Sequence, residues 1–102
     1  MPIQKKMYIL VRNDLAEKYC IVQGSHALAQ YAIDHKNLFL EWNNRTIVFL
    51  GVRNLKELRK WLYLLEETRK DFSTFDEPDL DDQLTSIACY DTGEIFKGLK
   101  TA

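Results

Sequence analysis

Residues 8–35 read YILVRNDLAEKYCIVQGSHALAQYAIDH, and a change of pattern inside this stretch decides the fold. Its start belongs to the apolar run Met7–Val11, bounded by Lys5–Lys6 and by Arg12–Asn13. A short apolar run with Tyr, Ile and Val between polar flanks predicts a strand buried on both faces. Asn13 and Asp14 are turn or cap residues that announce a helix. From about Cys20 to His35 the spacing becomes helical, with Val22, Ala29 and Ile33 on one side and Ser25–His26 on the same or an adjoining face. Gly24, Ala27, Ala29 and Ala32 are small, as a helix laid flat over a strand requires. Gly24 costs about 1 kcal/mol of helix propensity against Ala, which a close backbone approach explains.

Downstream, Leu38–Trp42 reads as one or two helical turns and Asn43–Asn44 as a turn. Thr46–Val52, TIVFLGV, is apolar and β-branched and predicts an inner strand. Asn54 then caps a helix, with Glu57 three residues on as in a capping box. Leu55, Leu58, Leu62 and Leu65 form its apolar stripe, and Lys56, Arg59, Lys60, Glu66 and Glu67 face water. Phe72–Phe75 is a short strand. Pro78 forces Glu77 extended and makes Glu77–Asp79 a loop. Leu84–Tyr90 is the last strand, Asp91–Gly93 a turn, and the tail beyond it is expected to be loose. Two helical crossovers between apolar strands imply one α/β domain over 1–102, a small mixed four-stranded sheet with helices packed on its faces.

The bulk numbers narrow the function classes. The chain has 102 residues, 46% of them hydrophobic, and a formal net charge of −1. No segment approaches the ~20 apolar residues of a membrane span, and Met7–Val11 is too short for a signal-peptide core, so a cytoplasmic protein is expected. Cys20 and Cys89 lack CxxC spacing and read as buried thiols. His26 and His35 would point to different helix faces, and no zinc-type set completes them, so no structural metal is expected. A non-specific duplex binder is usually clearly basic, and this chain is not. A local patch of Lys5, Lys6, Arg12 and Lys18 could still contact nucleic acid, or could be a solvated charge cluster.

Ligands of small α/β sheets favour strand carboxyl ends and the adjoining helix starts. There the chain places Arg12, Asn13, Asp14, Lys18, Gln23, Ser25 and His26. Each has two readings. Arg12 is a surface charge or a phosphate contact. Asp14 caps the turn or orients a neighbouring base. Gln23 is an exposed helical residue, or an amide offering donor and acceptor to a ligand. His26 is a hydrogen-bonded core residue or a proton-transfer group in a cleft. Asp79, Asp81 and Asp82 are a solvated acidic turn or supply a carboxylate. Thr85 and Ser86 are neighbours on a strand, so one should point inward and the other outward.

The run VRNDL (Val11–Leu15), followed by Gln23 and by His26–Ala27 on the next helix, resembles the peptidyl-tRNA hydrolase type II family, with its V-R-x-D-L strand end and Q-x-x-H-A helix. Trp42, the Asn43–Asn44 turn, TIVFLGV, the helix Asn54–Arg69 and the strand Leu84–Ala88 are similar to the family's later blocks in order and spacing. The resemblance departs at two places. The family's lysine stands four residues before the glutamine, where this chain has Tyr19, with Lys18 one residue earlier. The family's D-A-G-x-T stretch is replaced by a shorter acidic loop in which Asp79 is the nearest stand-in, as in the divergent peptidyl-tRNA hydrolase domain-containing subgroup.

The resemblance implies hydrolysis of the ester joining a peptidyl or N-blocked aminoacyl group to tRNA, without a cofactor. His26, Lys18, Asp14 and Asp79 would be catalytic, and Arg12, Gln23 and Thr85 would bind substrate. The alternative is a non-catalytic tRNA-, nucleotide- or protein-binding module on the same fold, favoured by the displaced lysine and the missing loop. The implied partner is the tRNA 3′ end. Homodimers are frequent in that family, which leaves a dimer as an open alternative to a monomer.

Overall fold

The sheet has the order β2-β1-β4-β3, in which β1 is Lys6–Arg12, β2 Ile47–Val52, β3 Phe72–Glu77 and β4 Gln83–Asp91. The computed structural model describes residues 4–102. β1 runs parallel to β2, with Ile9 opposite Phe49, and antiparallel to β4, with Ile9 opposite Ala88. β3 completes the sheet antiparallel to β4. The helices α1 (Glu17–Asp34) and α2 (Lys36–Glu41) connect β1 to β2, and α3 (Leu55–Glu67) connects β2 to β3.

β1 is buried on both faces because helices cover both. Met7, Ile9 and Val11 pack with Cys20, Ala27 and Tyr31 of α1. Leu10, pointing the other way, packs with Leu58 and Leu65 of α3 and with Leu50 and Val52 of β2. The chain is therefore a mixed α/β structure with its helices packed on a four-stranded sheet. Among the described residues, no helix is long and apolar enough to cross a membrane.

α1 presents a different face from the one its large apolar residues suggest. Its buried residues are Cys20, Gln23, Gly24, Ala27 and Tyr31. Val22, Ala29 and Ile33 are exposed, Ile33 by 75%. The cause is close approach. A Cβ on Gly24 would run into the Phe49 ring and meet Ile9 Cγ2 at 3.1 Å. At Gly24 the helix lies so near the sheet that no larger side chain fits between, and Val22 and Ile33 turn outward. α1 also starts at Glu17, three residues before the predicted start, with Ala16 rather than Asn13 or Asp14 at its N-cap.

β2 is an edge strand, not an inner one, and the tail predicted to be loose covers it. Gly51 N donates to Lys100 O at 3.0 Å and Ala102 N to Phe49 O at 2.9 Å, with Thr101 bridging Leu50. These bonds occupy edge groups that would otherwise be unpaired. The tail is anchored upstream by the short 3₁₀ turn Glu94–Phe96. There Phe96 is buried against Tyr8 and Trp61, with ring centroids 5.1 and 5.5 Å away.

α3 follows its predicted pattern. Asn54 Oδ1 accepts from Glu57 N at 3.0 Å. The Glu57 carboxylate accepts from Arg53 N and Nε, at 3.3 and 2.8 Å, instead of closing the capping box on Asn54. Leu58 and Leu65 are buried, Leu55 and Leu62 are partly buried, and the charged residues face water.

Candidate functional site

The β3–β4 pairing slips by one residue between Phe75 and Asp76. Phe75 pairs with Ser86 but Asp76 pairs with Leu84, which leaves Thr85 as the extra residue of a β-bulge. Strict alternation would send Thr85 and Ser86 to opposite faces. The bulge turns both toward α1, while Leu84 and Ile87, three residues apart, share the core on the α3 side.

Both hydroxyls meet Gln23. Ser86 Oγ donates to the Gln23 backbone carbonyl at 2.6 Å. Thr85 Oγ1 donates to Gln23 Oε1 at 2.7 Å and also lies 3.2 Å from Phe75 O. Gln23 Nε2 in turn donates to Glu77 Oε1 at 2.9 Å. The amide orientation follows from chemistry: a carboxylate only accepts, so the nitrogen must face Glu77 and the oxygen Thr85. Gln23, predicted as an exposed residue or a ligand, is 3% exposed and held from both ends.

Above this chain of bonds lies a cleft of about 390 Å³, lined by Leu15, Tyr19, Gln23, Glu77, Asp79 and Leu80. The loop after β1, the first turns of α1 and the acidic hairpin thus meet in one hollow. The 3₁₀ turn Pro78–Leu80 carries Asp79 to its rim.

The predicted site residues divide around this hollow. Gln23 and Asp79 line it, and Thr85, fully buried, stands behind Gln23. His26 is exposed and lies outside the lining, its ring edge-on to Phe75 with centroids 4.4 Å apart. It is thus neither a sealed core histidine nor a group in the cleft. Lys18 is also exposed, with Nζ 5.3 Å from the centroid of the Tyr19 ring. Asp14 faces Arg12, not Lys18 or His26.

Arg12 is buried and occupied. Its Nε and Nη2 donate to the two Asp14 oxygens at 2.9 and 2.6 Å, and its Nη1 donates to Gln83 Oε1 and Leu84 O at 2.9 and 3.1 Å. The bidentate pair with Asp14 holds the loop after β1, the Nη1 bonds tie the end of β1 to the start of β4, and together they leave one of five N–H groups for anything else. The Arg12 hydrogen bonds hold the Asp14 carboxyl below its ordinary range. Arg12 is therefore a brace of the loop rather than an open phosphate contact.

Glu77, Tyr19, Leu15 and Leu80 were not singled out by their patterns as site residues. For Glu77 one signal exists: it precedes Pro78, which holds it extended at the end of β3. Among the described residues, no three or more His, Cys, Asp or Glu side chains are grouped to hold a metal ion.

No family model matches the chain. No curated protein matches it either. Among solved structures, the chain is similar to a protein of unknown function from Agrobacterium tumefaciens, with a TM-score of 0.73 and 15% identity over 99% of both chains. At that identity the likeness establishes the fold alone.

Proposed function

We propose that this chain is a divergent hydrolase of the ester between a peptidyl or N-blocked aminoacyl group and tRNA. The observation that carries the reading is the shared hollow, in which a buried amide, Gln23, is locked between Thr85 and Glu77 beneath two carboxylates. The tRNA ester already has a good leaving group, the ribose hydroxyl. What remains is to position water, remove its proton and stabilise the oxyanion.

The local chemistry divides those tasks. Glu77 Oε1 is engaged by Gln23, which leaves Oε2 and the Asp79 carboxylate as bases for water. Gln23 Nε2 has a second N–H, whose direction is fixed by the bonds to Glu77 and Thr85, and it can polarise an ester carbonyl. Lys18 lies over the ring of Tyr19, which lines the cleft, and its flexible stem can carry the amine toward developing negative charge. His26 has no part in this mechanism, because its ring packs on Phe75 outside the lining. A cytoplasmic location goes with this substrate.

A second reading has its own support. Among the described residues no cation lines the cleft, and the lysine expected there lies against Tyr19 instead. A non-catalytic binding module would keep the fold and lose the amine. One experiment separates the two: release of N-acetyl-aminoacyl groups from tRNA under single-turnover conditions. The hydrolase reading expects turnover by the wild type, a loss of about 10²-fold or more in Asp79→Asn or Glu77→Gln, and near wild-type rates in His26→Ala. Folded wild-type protein that binds tRNA without releasing the acyl group would establish the module instead.

A further inference from the structure

Lys56, Arg59 and Lys60 share the outer face of α3 with Tyr63, one turn further on. Together with Asp14 they border a groove of about 560 Å³. All three cations are exposed, and none lies within ion-pair distance of a carboxylate among the described residues. Asp14, the carboxylate in the groove's lining, is paired with Arg12 at 2.6 Å, and Glu57, outside that lining, is paired with Arg53 at 2.8 Å. A chain of net charge −1 therefore brings three cations without a direct ion pair to one concave place, beside an aromatic ring that is 63% exposed.

We infer that this face of α3 holds the phosphodiester backbone of an RNA, with Tyr63 available as a stacking platform for an unpaired base. This assignment rests on the RNA-ester reading proposed above and adds where the nucleic acid lies. Three arguments carry it. Cations on one helix face neutralise phosphates, and an exposed aromatic between them stacks on bases. The groove and the cleft flank the same short loop: Asp14 borders the groove, and Leu15, the next residue, lines the cleft. An RNA on the groove would thus have its end near Gln23 without phosphate entering the acidic hollow. Finally, α3 cannot be a membrane-surface helix, because its apolar face is spent on the sheet through Leu58 and Leu65. The patch of Lys5, Lys6, Arg12 and Lys18, which the sequence offers as an alternative to a solvated charge cluster, loses Arg12 to its bonds with Asp14, Gln83 and Leu84.

The test is binding of deacylated tRNA, followed by fluorescence anisotropy over a salt series. The triple variant Lys56→Gln/Arg59→Gln/Lys60→Gln is compared with a charge-matched control, Lys5→Gln/Lys6→Gln/Lys36→Gln. Loss of three phosphate contacts should weaken binding about a hundredfold near 0.1 M salt and reduce the log–log salt slope by about 2. The control triple should stay within a few-fold of wild type, and Tyr63→Ala should lower affinity while leaving the salt slope unchanged. Equal weakening by both triples, no tRNA binding by the wild type, or binding to phosphatidylserine vesicles in place of tRNA would each overturn the inference. Failure of the hydrolase reading is separately visible. Wild type that releases no acyl group yet loses tRNA binding in the α3 triple keeps the inference and removes the catalysis. Wild type that hydrolyses the ester while the triple binds normally does the reverse.

Discussion

The Thr85 hydroxyl donates to the Gln23 side-chain oxygen at 2.7 Å, across the interface between β4 and α1, with both residues buried. This bond depends on the bulge that turns Thr85 toward the helix. Thr85→Val is close in shape but strips the Gln23 oxygen of its donor, leaving a buried acceptor unsatisfied. Urea unfolding should show a loss of about 1–3 kcal/mol. Thr85→Ser should recover most of it. A valine variant as stable as wild type would mean that the hydroxyl is not needed to hold the amide.

Gly24→Ala sets helix propensity against packing. The substitution favours the helix by about 1 kcal/mol. The new Cβ meets the Phe49 ring and Ile9, and overpacking of this kind costs typically about 1–3 kcal/mol. We expect net destabilisation in denaturant titrations, larger for Gly24→Val. A stabilised Gly24→Ala would show that Phe49 yields freely and that α1 is not pinned at this point.

Both thiols should be silent in the folded protein. Burial pushes the Cys89 thiol up to about 12, and burial also raises Cys20, whose Sγ lies 3.1 Å from the Arg12 carbonyl. The thiolate is the reactive form. At pH 8 a disulfide reagent such as dithionitrobenzoate should label neither thiol in native protein and both in urea. Rapid labelling of one thiol in the native state would expose an opening motion at that site.

Acid should unfold the protein partly through two carboxylates. Asp14 is lowered chiefly by its hydrogen bonds from Arg12, and Asp34 by those from Ser73, at 2.7 Å, and from Gln30. Their folded values lie below the unfolded ones. The stability they contribute is therefore present above the ordinary carboxylate value and is lost as pH falls through the folded values. Thermal melts of wild type should fall steeply below about pH 4. Asp14→Asn should be less stable at neutral pH and should show a shallower decline in acid. An unchanged acid slope would exclude the Arg12–Asp14 pair as a contributor.

Local patterns carried much of the architecture. The apolar runs of β1 and β4, the Asn54 cap and the leucine stripe of α3 were legible because each depends on residues a few positions apart. Three features were not, because each depends on neighbours distant in the chain. Val22, Ala29 and Ile33 look like a core stripe, but Gly24 and Ala27 decide which way α1 faces by letting it approach Phe49 and Ile9. β2 has the composition of an inner strand yet lies at an edge, where the last residues of the chain cover it. Thr85 and Ser86 lost their alternation to a bulge that no residue type announces.

The candidate site divides along the same line. Gln23 could be nominated from its place at a strand-to-helix junction, and Asp79 and Thr85 from the family resemblance, because order and spacing along the chain are enough for both. Their joining into one chain of bonds with Glu77, the removal of His26 to the side and the occupation of Arg12 by Asp14 and Gln83 are products of folding. Order and periodicity along a chain specify which groups a segment offers. Only the packing of segments against one another specifies which of those groups meet, because hydrogen bonds act over about 3 Å in space and not along the sequence.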